Sequence, residues 1–148
     1  MSSITSSALN ADTLSSLSDF WLHGWKHGPL TEPMDTSFMQ RWYQGSKEQD
    51  NTCKERYHEA LIEAEQASHE HLLELATAKN DPYHAVGLLL LLDQISRNVY
   101  RGPEAKQVSG SIRRSSPLCT HLWDLGLQHL RSKSSKADKS FNLRAFEL

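Results

Sequence analysis

The chain has 148 residues, enough for one domain with a real core, with 23% charged residues, a net charge of −2 and a pI near 6.4. That balance leaves no basic stripe of the kind a nucleic-acid footprint needs, and no apolar run reaches the roughly 18–20 residues of a membrane span. Two cysteines, Cys53 and Cys119, without a secretory h-region, do not make a disulfide framework, so a cytoplasmic, reduced protein is expected, with neither nucleic acid nor membrane as partner.

In chain order, the Ser/Thr-rich residues 1–12 read as a disordered arm. A helix then fits "TLSSLSDFWLHGW", where Leu14, Leu17, Phe20 and Trp21 recur at helical spacing, Thr13 is placed to cap the start, and Gly24, Gly28 and Pro29 close it. "TEPMDTSFMQRWYQGS" predicts a short second helix with Asp35 as N-cap and Phe38, Met39, Trp42 and Tyr43 on one side. In "NTCKERYHEALIEAEQASHEHLLELATAKN", Thr52 and Glu55 have capping-box spacing. Cys53, Tyr57, Ala60, Leu61 and Ala64 form an apolar stripe there, and a break is expected near Ser68.

"DPYHAVGLLLLLDQISRNVYRG" predicts the central helix, with Asp81 as N-cap, Pro82 at the first helical position, and a run from Ala85 to Ile95 that is apolar on nearly every side. Asn98 or Gly102 is expected to stop it. "PEAKQVSGSIRRSS" reads as a polar loop, residues 117–131 as one further helix, and "RSKSSKADKS" as a solvated linker. With no alternating strand pattern and no Gly-rich nucleotide loop, the fold class is all-α. The expected organisation is an arm over 1–12, a helical domain over 13–102 and a divergent tail over 103–148.

The polar end of the central helix holds the candidate site. Asp93 and Arg97 are i, i+4 and face each other, with Val86 and Leu90 on the same stripe one and two turns back. Gln94 and Asn98 also sit one turn apart. Asp93, Gln94, Arg97, Asn98 and Arg101 can therefore form either a structural clamp or the polar lip of a binding pocket. A single carboxylate among arginines is a poor general base, since cations stabilise its ionised form, so no catalytic residue is assigned. His23 and His27 have chelating spacing without a completing carboxylate, and no metal or cofactor is expected.

The segment Leu88 to Gly102 resembles the signature of the DUF924 family of uncharacterised proteins, whose pattern is close to LLLDQ-x-x-RN-x-x-RG. "DFW" (Asp19 to Trp21), "RWY" (Arg41 to Tyr43), "ERYHEALIEA" and "NDPYHAVGLLLLLDQ" are similar to that family in the same order, over residues 17–104. The resemblance implies a tetratricopeptide-like stack of antiparallel amphipathic helices, and it implies no reaction. This chain has Ile95-Ser96 where the family usually has Phe-Pro, departs after Gly102, and meets the family's later Arg-x-Phe stretch only at "LRAFEL" before Leu148. A C-terminally shortened or altered member, with an incomplete stack, is therefore expected.

The leading expectation for function is a helical scaffold or interaction protein without catalysis, binding a protein or small-molecule partner. The alternatives are an accessory protein or enzyme of a small-molecule pathway, for instance a secondary-metabolite one, that uses the polar pocket, and a nonfunctional truncated family member.

Overall fold

The computed structural model describes residues 6–22, 40, 45–122 and 124, and every regular element among them is helical. We number five helices: α1 (Ala11–Leu22), α2 (Lys47–Gln66), α3 (His69–Thr77), a composite central helix α4, and α5 (residues 106–122). Helix α4 runs α-helical over Pro82–Leu90, as a π turn over Leu91–Ile95, and α-helical again over Ser96–Val99.

The local reasons for these elements lie mostly in their caps. Asp81 opens α4 by accepting from Tyr83 N at 2.9 Å, with Pro82 in the first turn, as its sequence predicts. The expected break near Ser68 is present: α2 ends at Gln66, and Ser68 caps α3 by accepting from His71 N at 3.2 Å. Two expected caps are displaced. Thr13 does not begin α1; Asn10 does, its side chain accepting from Thr13 N at 2.8 Å. Thr52 does not begin α2 either. Ser46 caps that helix by accepting from Gln49 N at 3.0 Å, while the Thr52 hydroxyl donates back to the Glu48 carbonyl at 3.0 Å. In both cases a Ser/Thr/Asn residue further upstream offered an equivalent acceptor, so the helix extends toward its N-terminus.

The largest correction falls on residues 103–116, expected as a loop. From residue 106 onward they belong to α5. Its buried face is Ser111, Ser115 and Leu118, with Val108 and Leu122 packed against the core, a spacing of three and four residues. The serines that suggested a loop are the small contacts by which α5 lies close to its neighbours. Residues 123 and 125–131 of the expected 117–131 helix, the second predicted helix apart from Gln40, and His23, Trp25 and His27 lie outside the described residues.

Helix α4 is the centre of the fold. Leu88, Leu91, Leu92 and Ile95 are fully buried. Helices α1 and α3 flank its first half, and α2 packs along its second half through the expected stripe of Cys53, Tyr57, Ala60, Leu61 and Ala64. The α1–α4 crossing is close. A Cβ built on Gly87 would stand 2.1 Å from the Leu14 carbonyl oxygen, well inside van der Waals contact. Nearby, the buried Ser18 hydroxyl donates to the Tyr83 carbonyl at 2.6 Å. The buried His84 ring is held by the Ala78 carbonyl, 2.9 Å from its Nδ1.

The segment before α1 is tied down rather than free. Glu63 accepts from Ser7 Oγ at 2.5 Å, Ala8 N at 3.0 Å and Leu9 N at 2.9 Å, and Leu9 is buried. The arm expected over residues 1–12 is therefore ordered from Ser7 onward, because one carboxylate satisfies three donors that would otherwise face water. Residues 1–5 lie outside the described residues.

Gly87→Ala should lower stability in urea denaturation by about 2 kcal/mol or more, at the upper end of overpacking costs; a loss below about 0.5 kcal/mol would mean the crossing is not tight. The Ser7 hydroxyl, then the Leu9 N–H, hold the Glu63 carboxyl below its ordinary pKa, and burial opposes them weakly. Folding thus lowers this pKa, so the latch contributes fully above the ordinary carboxylate range and is lost as pH falls through the lowered value. The protection factors of the Ala8 and Leu9 amides, that is their exchange corrected for its intrinsic pH dependence, should fall on acidification through that window, and Glu63→Gln should remove that pH dependence.

Candidate functional site

The π turn over Leu91–Ile95 contains Asp93 and Gln94 and loosens the hydrogen-bond ladder where they sit. Side chains help satisfy its carbonyls. The buried Ser96 hydroxyl donates to Leu92 O at 2.8 Å and contacts Asp93 O at 3.1 Å, and Arg97 Nε donates to Asp93 O at 3.1 Å.

The five residues that the sequence groups together fall into two sets. In the first, Arg97 Nη2 stands 3.2 Å from Asp93 Oδ1, and Gln94 Nε2 donates to Asp93 Oδ2 at 2.6 Å. The pair is exposed, at 54% for the Arg97 side chain and 38% for Asp93, which places it among surface ion pairs of little energetic weight. In the second set, Asn98 Nδ2 donates to Asp50 Oδ1 at 2.9 Å and Arg101 Nε to Asp50 Oδ2 at 2.7 Å. The Asp50 side chain is only 16% exposed, and Asn98 is buried.

The reason for the split is in the backbone. Helix α4 stops at Val99, and Arg101 has extended φ/ψ of −75° and 143°, so helical spacing no longer sets where its side chain goes. Gly102, at φ +84°, completes the turn in a conformation that favours glycine.

Sequence reasoning missed Asp50 as the partner of Asn98 and Arg101. It also missed a third polar group. Glu65 on α2 accepts from Tyr100 OH at 3.0 Å and from the Ser111 hydroxyl. Burial, then the Glu65 carboxylate, hold the Tyr100 phenol well above its ordinary pKa. Arg114 Nη1 donates to Ala64 O at 2.9 Å and Ala67 O at 2.6 Å, closing the C-terminal end of α2. These contacts join α2, the end of α4 and α5. No local pattern announces them, since each spans 35 residues or more of sequence.

Between α4 and α5 lies a cleft of about 350 Å³, lined among the described residues by Val86, Leu89, Leu90, Asp93, Gln94, Ser115 and Cys119. Its walls are aliphatic, and the π turn supplies its polar end. Pro117 in α5 removes the N–H that would bond the Arg113 carbonyl, so α5 too has a break in its ladder between the cleft residues Ser115 and Cys119. Neither Cys53 nor Cys119 is in a disulfide; the first is buried and the second exposed. Among the described residues, no group of three or more His, Cys, Asp or Glu side chains is placed to hold a metal ion, and no helix is long and apolar enough to cross a membrane.

Among the described residues, the fold and site define an all-helical domain with a buried central helix, two polar struts and an aliphatic cleft that ends at a carboxylate. The chain belongs to DUF924, described as bacterial protein of unknown function, whose family model matches residues 17–141. The match runs past Gly102 to residue 141, so it takes in residues 103–141 of the tail expected to diverge and leaves out residues 142–148. Neither a curated protein nor a solved structure matches the chain.

The two ion pairs should differ in weight. Asp50→Ala strands the buried Asn98 amide and should cost about 1–3 kcal/mol in chemical denaturation. Asp93→Ala should change stability by less than about 0.5 kcal/mol, since the lost surface pair is offset by better helix propensity. Equal losses would place Asp93 back in a structural clamp.

Proposed function

We propose that the protein is a helical interaction protein that works by binding, without a reaction of its own, and that its ligand-accepting surface is the α4–α5 cleft. The observation that carries this reading is the division of labour among the polar residues. Asp50 and Glu65 serve as struts between helices, bonded to Asn98, Arg101, Tyr100 and Ser111. Asp93 and Gln94 are instead half-exposed at the end of an aliphatic cleft. A half-exposed carboxylate at this π turn does little for stability, and π turns recur at functional sites. The helix stack is, in this reading, of the tetratricopeptide-like kind that family resemblance implies, and a cytoplasmic setting suits two cysteines that form no disulfide.

The alternative reading, an accessory protein of a small-molecule pathway, is favoured by the cleft's size, which falls at the small end of ligand pockets. Both readings use the same surface and differ in whether a side chain of a partner or a free small molecule fills it.

A thermal-shift screen of small molecules against the wild type and Leu89→Trp tests the site. Compounds that raise the melting temperature of the wild type should lose that effect in Leu89→Trp, which fills the cleft while keeping a cooperative melt. Stabilisation that survives in the variant would move the binding surface elsewhere.

A further inference from the structure

We infer that the α4–α5 cleft takes an alkylammonium group: an aliphatic chain against Val86, Leu89 and Leu90, with a cationic head on Asp93 and Gln94. This rests on the reading of the cleft as the binding surface.

The donor and acceptor inventory of the lining carries the inference. Asp93 is the one charged lining residue among those described. Each of its oxygens accepts one hydrogen bond, from Gln94 and from Arg97, and keeps a further lone pair. Gln94 has turned its amide nitrogen toward Asp93, which leaves its carbonyl oxygen as an acceptor and one N–H free of that bond. The Ser115 hydroxyl donates to the Ile112 carbonyl at 2.7 Å, so what it offers the cleft is its lone pairs. The polar end is small, its groups are mainly acceptors, and with Arg97 displaced its one formal charge among the described residues is the Asp93 carboxylate. A carboxylate or phosphate ligand would meet repulsion there, whereas an ammonium brings three donors and the complementary charge.

The length also fits. Val86 and Asp93 are seven residues apart on α4, about 10 Å along a helix axis, which suits an extended chain of roughly six carbons with its head group. The resident cation, Arg97, is the competitor. It reaches Asp93 Oδ1 at 3.2 Å from the solvent side, does not line the cleft, and is more than half exposed, so an ammonium can displace it without stranding a buried charge. The site then carries an unusual signature: removing a neighbouring arginine should help the ligand.

The test is titration of the full chain with n-hexylamine, hexanoate and 1-hexanol, followed by methyl NMR shifts of Val86, Leu89 and Leu90. Hexylamine at neutral pH should shift these methyls saturably and bind at least tenfold more tightly than hexanoate. Asp93→Asn should weaken it about tenfold or more, and Arg97→Ala should leave its affinity unchanged or improve it. Hexanoate binding as well as hexylamine, or Arg97→Ala weakening hexylamine, would overturn the assignment of a cationic head. Saturable binding of hexanol with none of hexylamine would also overturn it while leaving the cleft as a binding surface. No saturable shift with any probe would overturn both. If Asp93→Asn does not fold, the comparison of the three probes on wild type and Arg97→Ala still decides.

Discussion

The close crossing of α1 over α4 at Gly87 is the constraint on which the rest of the structure depends. With the Leu14 carbonyl where a side chain would begin, α4 is held on one face by backbone contact, and Leu88, Leu91, Leu92 and Ile95 are turned into the core formed with α1, α2 and α3. Fixing that face fixes the others. Val86, Leu89 and Leu90 are left on the side toward α5, where Ser115 and Cys119 line the cleft with Asp93 and Gln94. The cleft follows from a helix whose orientation is set elsewhere.

The π turn then decides what the polar residues do. In a uniform helix Asp93, Gln94, Arg97, Asn98 and Arg101 would share one broad arc and could form one lip. The widened turn, followed by the helix end at Val99, separates them. Asn98 and Arg101 meet Asp50 on α2 and anchor the chain reversal before α5. Asp93 and Gln94 stay on the cleft, with Arg97 beside them at the surface. One motif thus serves two physical purposes, and the difference in exposure between Asp50 and Asp93 is what tells them apart.

How much of this was legible in the sequence depends on how local the physics is. The α2 stripe from Cys53 to Ala64, the Asp81–Pro82 start and the break at Ser68 rest on periodicity and capping within a few residues, and the structure has them where they were expected. Capping residues were harder where several serines, threonines and asparagines compete, as Asn10 and Ser46 show. The stretch before Pro117 looks like a loop by composition because Gly110, Ser111, Ser115 and Ser116 fall close together. The smallness of Ser111 and Ser115, the two that are buried, matters only once other helices are there to be packed against. The Glu65 and Asp50 struts were invisible for a related reason, since no pattern within a helix states which carboxylate on another helix will receive a donor. Among the described residues all elements are helical, and family membership holds across residues 17–141, but neither assigns a ligand.

We have proposed the space between α4 and α5 as an occupied surface of the working protein rather than a packing defect. Cys119 lines that space and is exposed, while Cys53 is sealed in the core and provides an internal reference. The direct measurement is the rate of Cys119 alkylation by iodoacetamide with and without a ligand that stabilises the protein, read residue by residue by mass spectrometry. Cys119 should be slowed severalfold as the ligand saturates while Cys53 stays unreactive throughout. An unchanged Cys119 rate at saturating ligand would contradict it.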